Sequence, residues 1–158
     1  MTIKLLTVGA IKEAELRKLI DMYLQRIRHY TPLECQEIKA EKRGKTEADP
    51  QVKRREAEKL RQRLTPHETV IALAEQGRQY TSGEFAAMLG QYQLRGEVKT
   101  LTFVIGGATG LDDEFVRSAA RVWSLSKMTF PHQLCRLIML EQLYRAYTIL
   151  AGEPYHKE

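Results

Sequence analysis

Short apolar runs alternate along this chain with segments of helical periodicity, and that alternation limits the folds open to it. Residues 3–8 form an apolar run stopped by Gly9 and read as a buried strand. Within 13–30, Leu16, Leu19, Ile20, Tyr23, Leu24 and Ile27 recur at helical spacing, and Pro32 lies just past the end. Residues 33–38 alternate weakly as a second strand, while 39–50, with Gly44 and mixed charge, read as a mobile loop. A polar helix over 51–64 is anchored by Val52, Leu60 and Leu64. A strand over 69–74 leads into a turn at 75–79, then into a helix over 82–94 capped at Ser82. The run 100–105 is the most strand-like in the chain and stops at Gly106-Gly107. Asp112 or Asp113 caps a helix to about Arg121, and 122–125 is a last short strand. Pro131 opens a long helix over 132–150, where its missing N–H costs nothing. Such alternation predicts an α/β fold, a mostly parallel sheet with helices on both faces.

At 158 residues the chain fits one domain, 1–158, around a single core. Its 25 Lys and Arg against 20 Asp and Glu leave +5, a modest excess that matters only where it is concentrated. Residues 39–63 hold ten of the basic residues and five of the acids, which accounts for the whole excess. A local positive field suits a polyanion, because each neutralised phosphate releases condensed counterions. A solvated loop and helix face is the plainer alternative. Cys35 and Cys135 have no zinc-type spacing and sit among apolar residues, so reduced and mostly buried thiols are expected. No basic segment followed by a long apolar one opens the chain, so no secretory signal is expected. The apolar stretch 134–150 is broken by Arg136, Glu141 and Arg145, which makes it a buried helix rather than a membrane span. A cytoplasmic protein without a membrane partner is the expectation.

Three segments near the C-terminal end put glycine, small polar or basic groups directly after an apolar run. They are 104–111, 126–132, and Leu143-Tyr144-Arg145-Ala146 running on to Pro154-Tyr155-His156-Lys157-Glu158. In an α/β protein, strand ends of this kind leave backbone amides and carbonyls free beside a buried core, and ligand sites form there. Gly106-Gly107-Ala108-Thr109-Gly110 is not a P-loop, since no Gly-Lys-Ser/Thr follows, nor is it a Gly-x-Gly-x-x-Gly fingerprint. Alone it is a tight strand-to-helix turn. Beside 126–131, it becomes half of a clasp for a flat heterocycle, with glycine permitting close backbone approach. No His, Cys, Asp or Glu cluster has metal-ligand spacing.

The order Ile-Gly-Gly-x-x-Gly-Leu, Leu-Ser-x-x-Thr-x-Pro-His, Leu-Tyr-Arg-Ala and Tyr-His-Lys-Glu resembles the SPOUT class of S-adenosylmethionine-dependent RNA methyltransferases. Within that class the chain is similar to the small single-domain family that methylates N3 of a pseudouridine in the large-subunit (23S) ribosomal RNA. The resemblance spans the chain, including the Leu-Thr-Val-Gly strand end and Glu41-Lys42-Arg43-Gly44-Lys45. It implies a deep trefoil knot in the C-terminal part, which topology rules alone would not have suggested. It also implies a homodimer with the 132–150 helix at the interface, S-adenosylmethionine as cofactor, no metal, and the ribosome as partner.

Carried over by position, the cofactor contacts would be Leu73, Gly107, Ser126, Lys127, Met128, Thr129, Phe130 and Pro131. Leu73 taken alone reads as core. The catalytic candidates are Arg145, to steady developing negative charge or grip a phosphate, His156 as general base, and Tyr155 as a platform for a flipped base. Read without the family, Arg145 is equally an i,i+4 partner of Glu141, and His156 a surface histidine. His132 packs at the helix start or joins the site, and Trp123 and Phe130 are core and pocket wall. The resemblance further implies that the tail closes over a partner's pocket. Three other readings stand beside it: a SPOUT enzyme acting on a transfer RNA nucleoside, a ribosome-binding factor without catalysis, and an enzyme using a different nucleotide cofactor, against which the lack of a phosphate-cradling signature counts.

Overall fold

Alternate residues of the central strands face opposite sides of one sheet, and each side has its own set of helices. The computed structural model describes residues 1–42 and 48–157. Part of the expected 39–50 loop, with Arg43, Gly44, Lys45 and Glu47, lies outside the described residues. The elements run β1 (Thr2–Val8), α1 (Ala14–Arg28), β2 (Leu33–Ile38), α2 (Asp49–Arg61), β3 (Glu68–Arg78), α3 (Ser82–Arg95), β4 (Thr100–Ile105), α4 (Asp113–Ser118), β5 (Arg121–Trp123) and α5 (His132–Leu150). The strands are ordered β2-β1-β4-β3-β5, and every described pairing is parallel.

Ile3 and Leu5 of β1, with Leu101, Phe103 and Ile105 of β4, pack beneath α1, α3 and α5. Leu6 and Val8, with Ala72 and Val104, pack beneath α2 and α4. The period of two in each strand therefore feeds both cores, as a doubly covered parallel sheet requires. A buried ion pair crosses the α2 side, where Lys4 Nζ lies 2.9 Å from Glu68 Oε1 and donates to Arg63 O at 2.6 Å. Thr102 donates to the other Glu68 oxygen at 2.6 Å. Burial by itself would raise the Glu68 carboxyl, but the hydrogen bonds from Thr102 and Lys4 hold it below the usual carboxylate range.

Because all strands point the same way, their C-terminal ends collect along one edge of the sheet. That edge holds Gly9, Ile38, the end of β3, Gly106 and Ser124. Several expectations need correction. The strand at 69–74 does not turn at 75–79 but continues to Arg78, because β5 runs beside it through a register shift and Ser124 N donates to Arg78 O. The α3 cap is Thr81 rather than Ser82: Thr81 Oγ1 accepts from Glu84 N, and Glu84 accepts from Thr81 N, a reciprocal capping box. The helix after Asp112 stops at Ser118, since the chain turns extended at Ala119 to start β5. Cys35 is exposed because β2 is an edge strand, and Cys135 is half-buried, so neither thiol is deep in a core. Among the described residues no helix is long and apolar enough to cross a membrane.

Candidate active site

Three loops at the C-terminal edge of the sheet enclose a cavity of about 760 Å³. Leu73, Ala74, Glu75 and Gln76 of β3 form one wall, residues 105–111 a second, and 123–126 with 128–132 a third. The glycine turn is closed on itself: Gly110 N donates to Gly107 O at 3.0 Å, and Gly110 has φ of +79°. Gly106 and Gly107 are buried; backbone leaves no room for a side chain at Gly106, and Gly107 is tightly enclosed by side chains. A Cβ on Gly106 would stand 2.7 Å from the Gly110 carbonyl carbon. One on Gly107 would meet Val8 Cγ1 at 3.0 Å and Glu56 Oε2 at 3.4 Å, on the core side of the turn.

Behind that turn lies Glu56, a buried acid on α2. One of its oxygens accepts from Glu41 N at 3.0 Å, and the other has no hydrogen-bond partner among the described residues. Desolvation pushes its carboxyl above the ordinary range. The third wall is braced by its own side chains. Ser124 Oγ donates to Ser126 O at 2.9 Å, Met128 N to Ser126 Oγ at 3.0 Å, and Thr129 Oγ1 to Glu75 Oε1 at 2.6 Å. That last bond ties the loop to β3.

Seven of the eight expected cofactor residues line this cavity: Leu73, Gly107, Ser126, Met128, Thr129, Phe130 and Pro131. Lys127 is exposed and stands outside the lining. Lining residues beyond the expected set include Lys53, which α2 delivers to the cavity, and Glu75 and Gln76, which belong to β3 rather than to the expected turn. Apolar Leu73, Ile105, Leu125, Phe130 and Pro131 supply walls for a heterocycle, and the bare turns supply backbone donors and acceptors. Thr109 Oγ1 is buried in this wall and has no hydrogen-bond partner among the described residues, an orphan suited to a polar ligand group. A nucleoside with a charged aliphatic arm fits these surroundings. Trp123 is core as well as wall, stacked on Phe85 with ring centroids 4.3 Å apart.

Arg145, Tyr155 and His156 come together, but elsewhere. Arg145 Nη2 and Nε both donate to Glu141 Oε1, at 2.5 and 3.0 Å, and that pairing raises the guanidinium pKa. The Arg145 guanidinium carbon lies 4.8 Å from the centroid of the Tyr155 ring, and Tyr155 donates to Glu141 Oε1 at 3.2 Å. Burial and the neighbouring Tyr23 and Glu141 keep the Tyr155 phenol protonated well above its usual range. Arg145 Nη1 lies 3.3 Å from His156 Nδ1. A guanidinium only donates, so Nδ1 is the acceptor wherever the two bond. None of the three lines the main cavity: His132 begins α5 at the cavity wall, and Arg145 stands thirteen residues along that helix. At the α-helical rise this is about 20 Å.

The basic stretch is partly self-neutralised, since Glu41 binds both Arg55 and Lys59. Lys53 is half-buried, Arg54 is exposed, and Arg61 approaches Glu114 at 3.8 Å.

A family model described as predicted SPOUT methyltransferase matches residues 1–156. The protein named ribosomal RNA large subunit methyltransferase H in Geobacter metallireducens is 46% identical over 156 residues, covering 99% of each chain. The protein of that name in Enterococcus faecalis is 40% identical over 160 residues, covering 99% of this chain and 100% of its own. Among solved structures, a probable methylase family protein from Haemophilus influenzae matches with a TM-score of 0.54 at 11% identity, over 99% of this chain and 70% of that one. A probable methyltransferase from Bordetella pertussis gives 0.56 at 12% identity, over 92% and 95%. At such identities the structural likeness shows the fold alone.

Proposed function

Since the chain belongs to the SPOUT methyltransferase family, we propose that it methylates large-subunit ribosomal RNA, at N3 of a pseudouridine, with S-adenosylmethionine as donor. The observation that carries this reading is the cavity built by three strand-end loops, lined by seven of the residues expected at the donor site, in a chain matched end to end by relatives of that name. Bound there, the donor would supply an electrophilic methyl carbon whose bond to the sulfonium sulfur breaks as the N3 nitrogen takes it, with the N3 proton going to a base or to water.

The protein's part is chiefly positional. Leu73, Phe130 and Pro131 give apolar surface, and the 106–110 and 126–129 backbones give polar contacts. Thr129, held by Glu75, keeps the loop in place. Arg145 is the group to balance negative charge on the deprotonating imide, with Tyr155 beside it as a stacking surface. Because these groups stand about 20 Å along α5 from the cavity, one chain does not bring them to its own donor. A two-fold dimer that sets the tail of one subunit at the cavity of its partner resolves the separation. Leu134 is exposed and Ile138 half-buried one turn on, a stripe of α5 left over after packing on α1 and α3. The trefoil knot belongs to the same reading.

Mass spectrometry of ribosomal RNA from cells with and without the gene tests the assignment. The expected result is one methylated pseudouridine that disappears with the gene. An unchanged large-subunit RNA with a change in a transfer RNA would overturn it. Calorimetry with S-adenosylmethionine adds a direct check, since a non-catalytic ribosome-binding factor gives no heat.

A further inference from the structure

A second cavity, of about 500 Å³, opens beside the main one and shares Gly107, Ala108 and His132 with it. The loop after β1, the end of β2 and the first turn of α5 supply its walls. Two features set it apart. The first is charge. Lys12 and Lys39 line it, and among the described residues neither ammonium has a carboxylate partner. The one lining acid, Glu37, is already taken by Arg136 at 2.5 Å.

The second is rigidity. Arg136, 3% exposed, donates to Glu37 of β2 and, at 2.8 Å, to Gly9 O after β1, so one buried cation from α5 pins all three walls. His132 stands on the divide. Its Nε2 is 3.7 Å from where a Cβ on Gly9 would lie, and among the described residues it makes no hydrogen bond.

We propose that this second cavity is a subsite for the RNA strand carrying the target nucleoside, taking a ribose-phosphate unit with Lys12 and Lys39 as phosphate ligands. The inference rests on the methyltransferase reading above and extends it. A nitrogen that receives a methyl group must approach the donor to about 3–3.5 Å. The backbone attached to that base therefore passes within one nucleotide of the main cavity, and the opening that shares its wall is the adjoining place for it. Unpaired lysines on a fixed frame suit a phosphate, which needs point charge and tolerates either strand sequence.

The test is a Lys12→Ala/Lys39→Ala variant, assayed on ribosomes from cells lacking the gene. Lys99→Ala serves as control, on an exposed lysine just before β4 at the far end of the sheet. The expected result is KM for ribosomes raised roughly tenfold or more with kcat nearly unchanged, and a salt slope of log affinity shallower by about 1.5. Cofactor affinity by calorimetry stays at the wild-type value, and Lys12→Arg/Lys39→Arg restores most of the loss. Wild-type KM and salt slope in the double variant, with the wild-type enzyme active, would overturn the subsite and leave the methyltransferase reading standing. A wild-type protein that methylates no ribosome would overturn both. Should the double variant melt early, Lys12→Gln and Lys39→Gln singly carry the same test.

Discussion

Replacing Gly106 by alanine should damage the site more than any other single methyl added to the glycine turn. The added Cβ would lie 2.7 Å from the Gly110 carbonyl carbon, 2.8 Å from Leu111 N and 3.0 Å from Gly110 O. All three atoms are backbone, so no side chain can swing aside. Ordinary carbon–carbon contact begins near 3.5 Å, and the two strands of the turn must separate by roughly 0.8 Å. Overpacking of this kind costs typically 1–3 kcal/mol, and a clash against backbone belongs at about the upper figure. For a chain of this size that corresponds to a fall in Tm of about 6–12 °C. Separation also moves the cavity wall, so affinity for the methyl donor should drop at least tenfold, of the order expected for a displacement approaching 1 Å. Gly110→Ala is the comparison, because φ there is +79° but nothing lies within 4 Å of the added carbon. Its cost is only the left-handed conformation, about 1–2 kcal/mol. Scanning calorimetry and donor titration of both variants decide the matter. Wild-type donor affinity in Gly106→Ala, or a larger loss of Tm in Gly110→Ala, would refute the reasoning.

Removing Tyr155–Glu158 should abolish methyl transfer while donor affinity falls much less, measured by single-turnover assay beside calorimetry. Mixing Arg145→Ala and Gly106→Ala chains at equal amounts, with donor kept too dilute to fill the altered cavity, should restore roughly a quarter of wild-type sites if cavity and tail come from different subunits; no recovery after subunit exchange counts against that arrangement. Lys4→Met should cost about 3–5 kcal/mol in urea unfolding, because Glu68 is left charged and buried. The depressed Glu68 carboxyl stabilises the fold above its unfolded pKa of about 4.3, and this contribution is lost as pH falls through the lower folded value. Glu68→Gln should therefore flatten the pH dependence of Tm below about pH 4.

Most of the sheet and its helices were legible because the signals are local. The α5 bounds match the expected 132–150, since Pro131 fixes its start and the apolar positions persist to Leu150. The same holds for β1, β4 and the glycine turn, where an apolar run ends at a residue without a side chain. What failed was set by partners distant in sequence. β3 runs on past Leu73 only because β5, fifty residues later, pairs with it. Cys35 looked apolar in sequence, but its exposure depends on β2 having no neighbour on one side. Lys53 was counted among the basic residues without a place in the cavity, because nothing local says that α2 buries Val52 and Glu56 and thereby turns Lys53 toward the glycine turn. The Thr81 cap was available, since Thr-x-x-Glu before an apolar run is a capping-box pattern.

The two halves of the proposed site hang on one helix, and this explains an otherwise odd feature of α5. A helix packed on one sheet needs a single apolar stripe, yet α5 buries Met139, Leu140, Leu143, Ala146 and Tyr147 and still presents Leu134 and Ile138 outward. The buried stripe is spent against α1, α3 and the sheet. The outward one leads along the helix to Glu141 and Arg145, directly beneath the docked tail. A partner laid along this stripe in antiparallel fashion would bring each Arg145 toward the other subunit's His132 end, because a two-fold axis near residue 138 exchanges the two ends of the helix. Helix length then sets the spacing between donor cavity and tail. A charge placed on the outward stripe leaves the buried one and each subunit's cavity untouched. Leu134→Glu, at an exposed position outside the cavity lining, should for that reason weaken the dimer and abolish turnover without abolishing donor binding. A variant that became monomeric and kept turnover would show that the tail does not work across the interface.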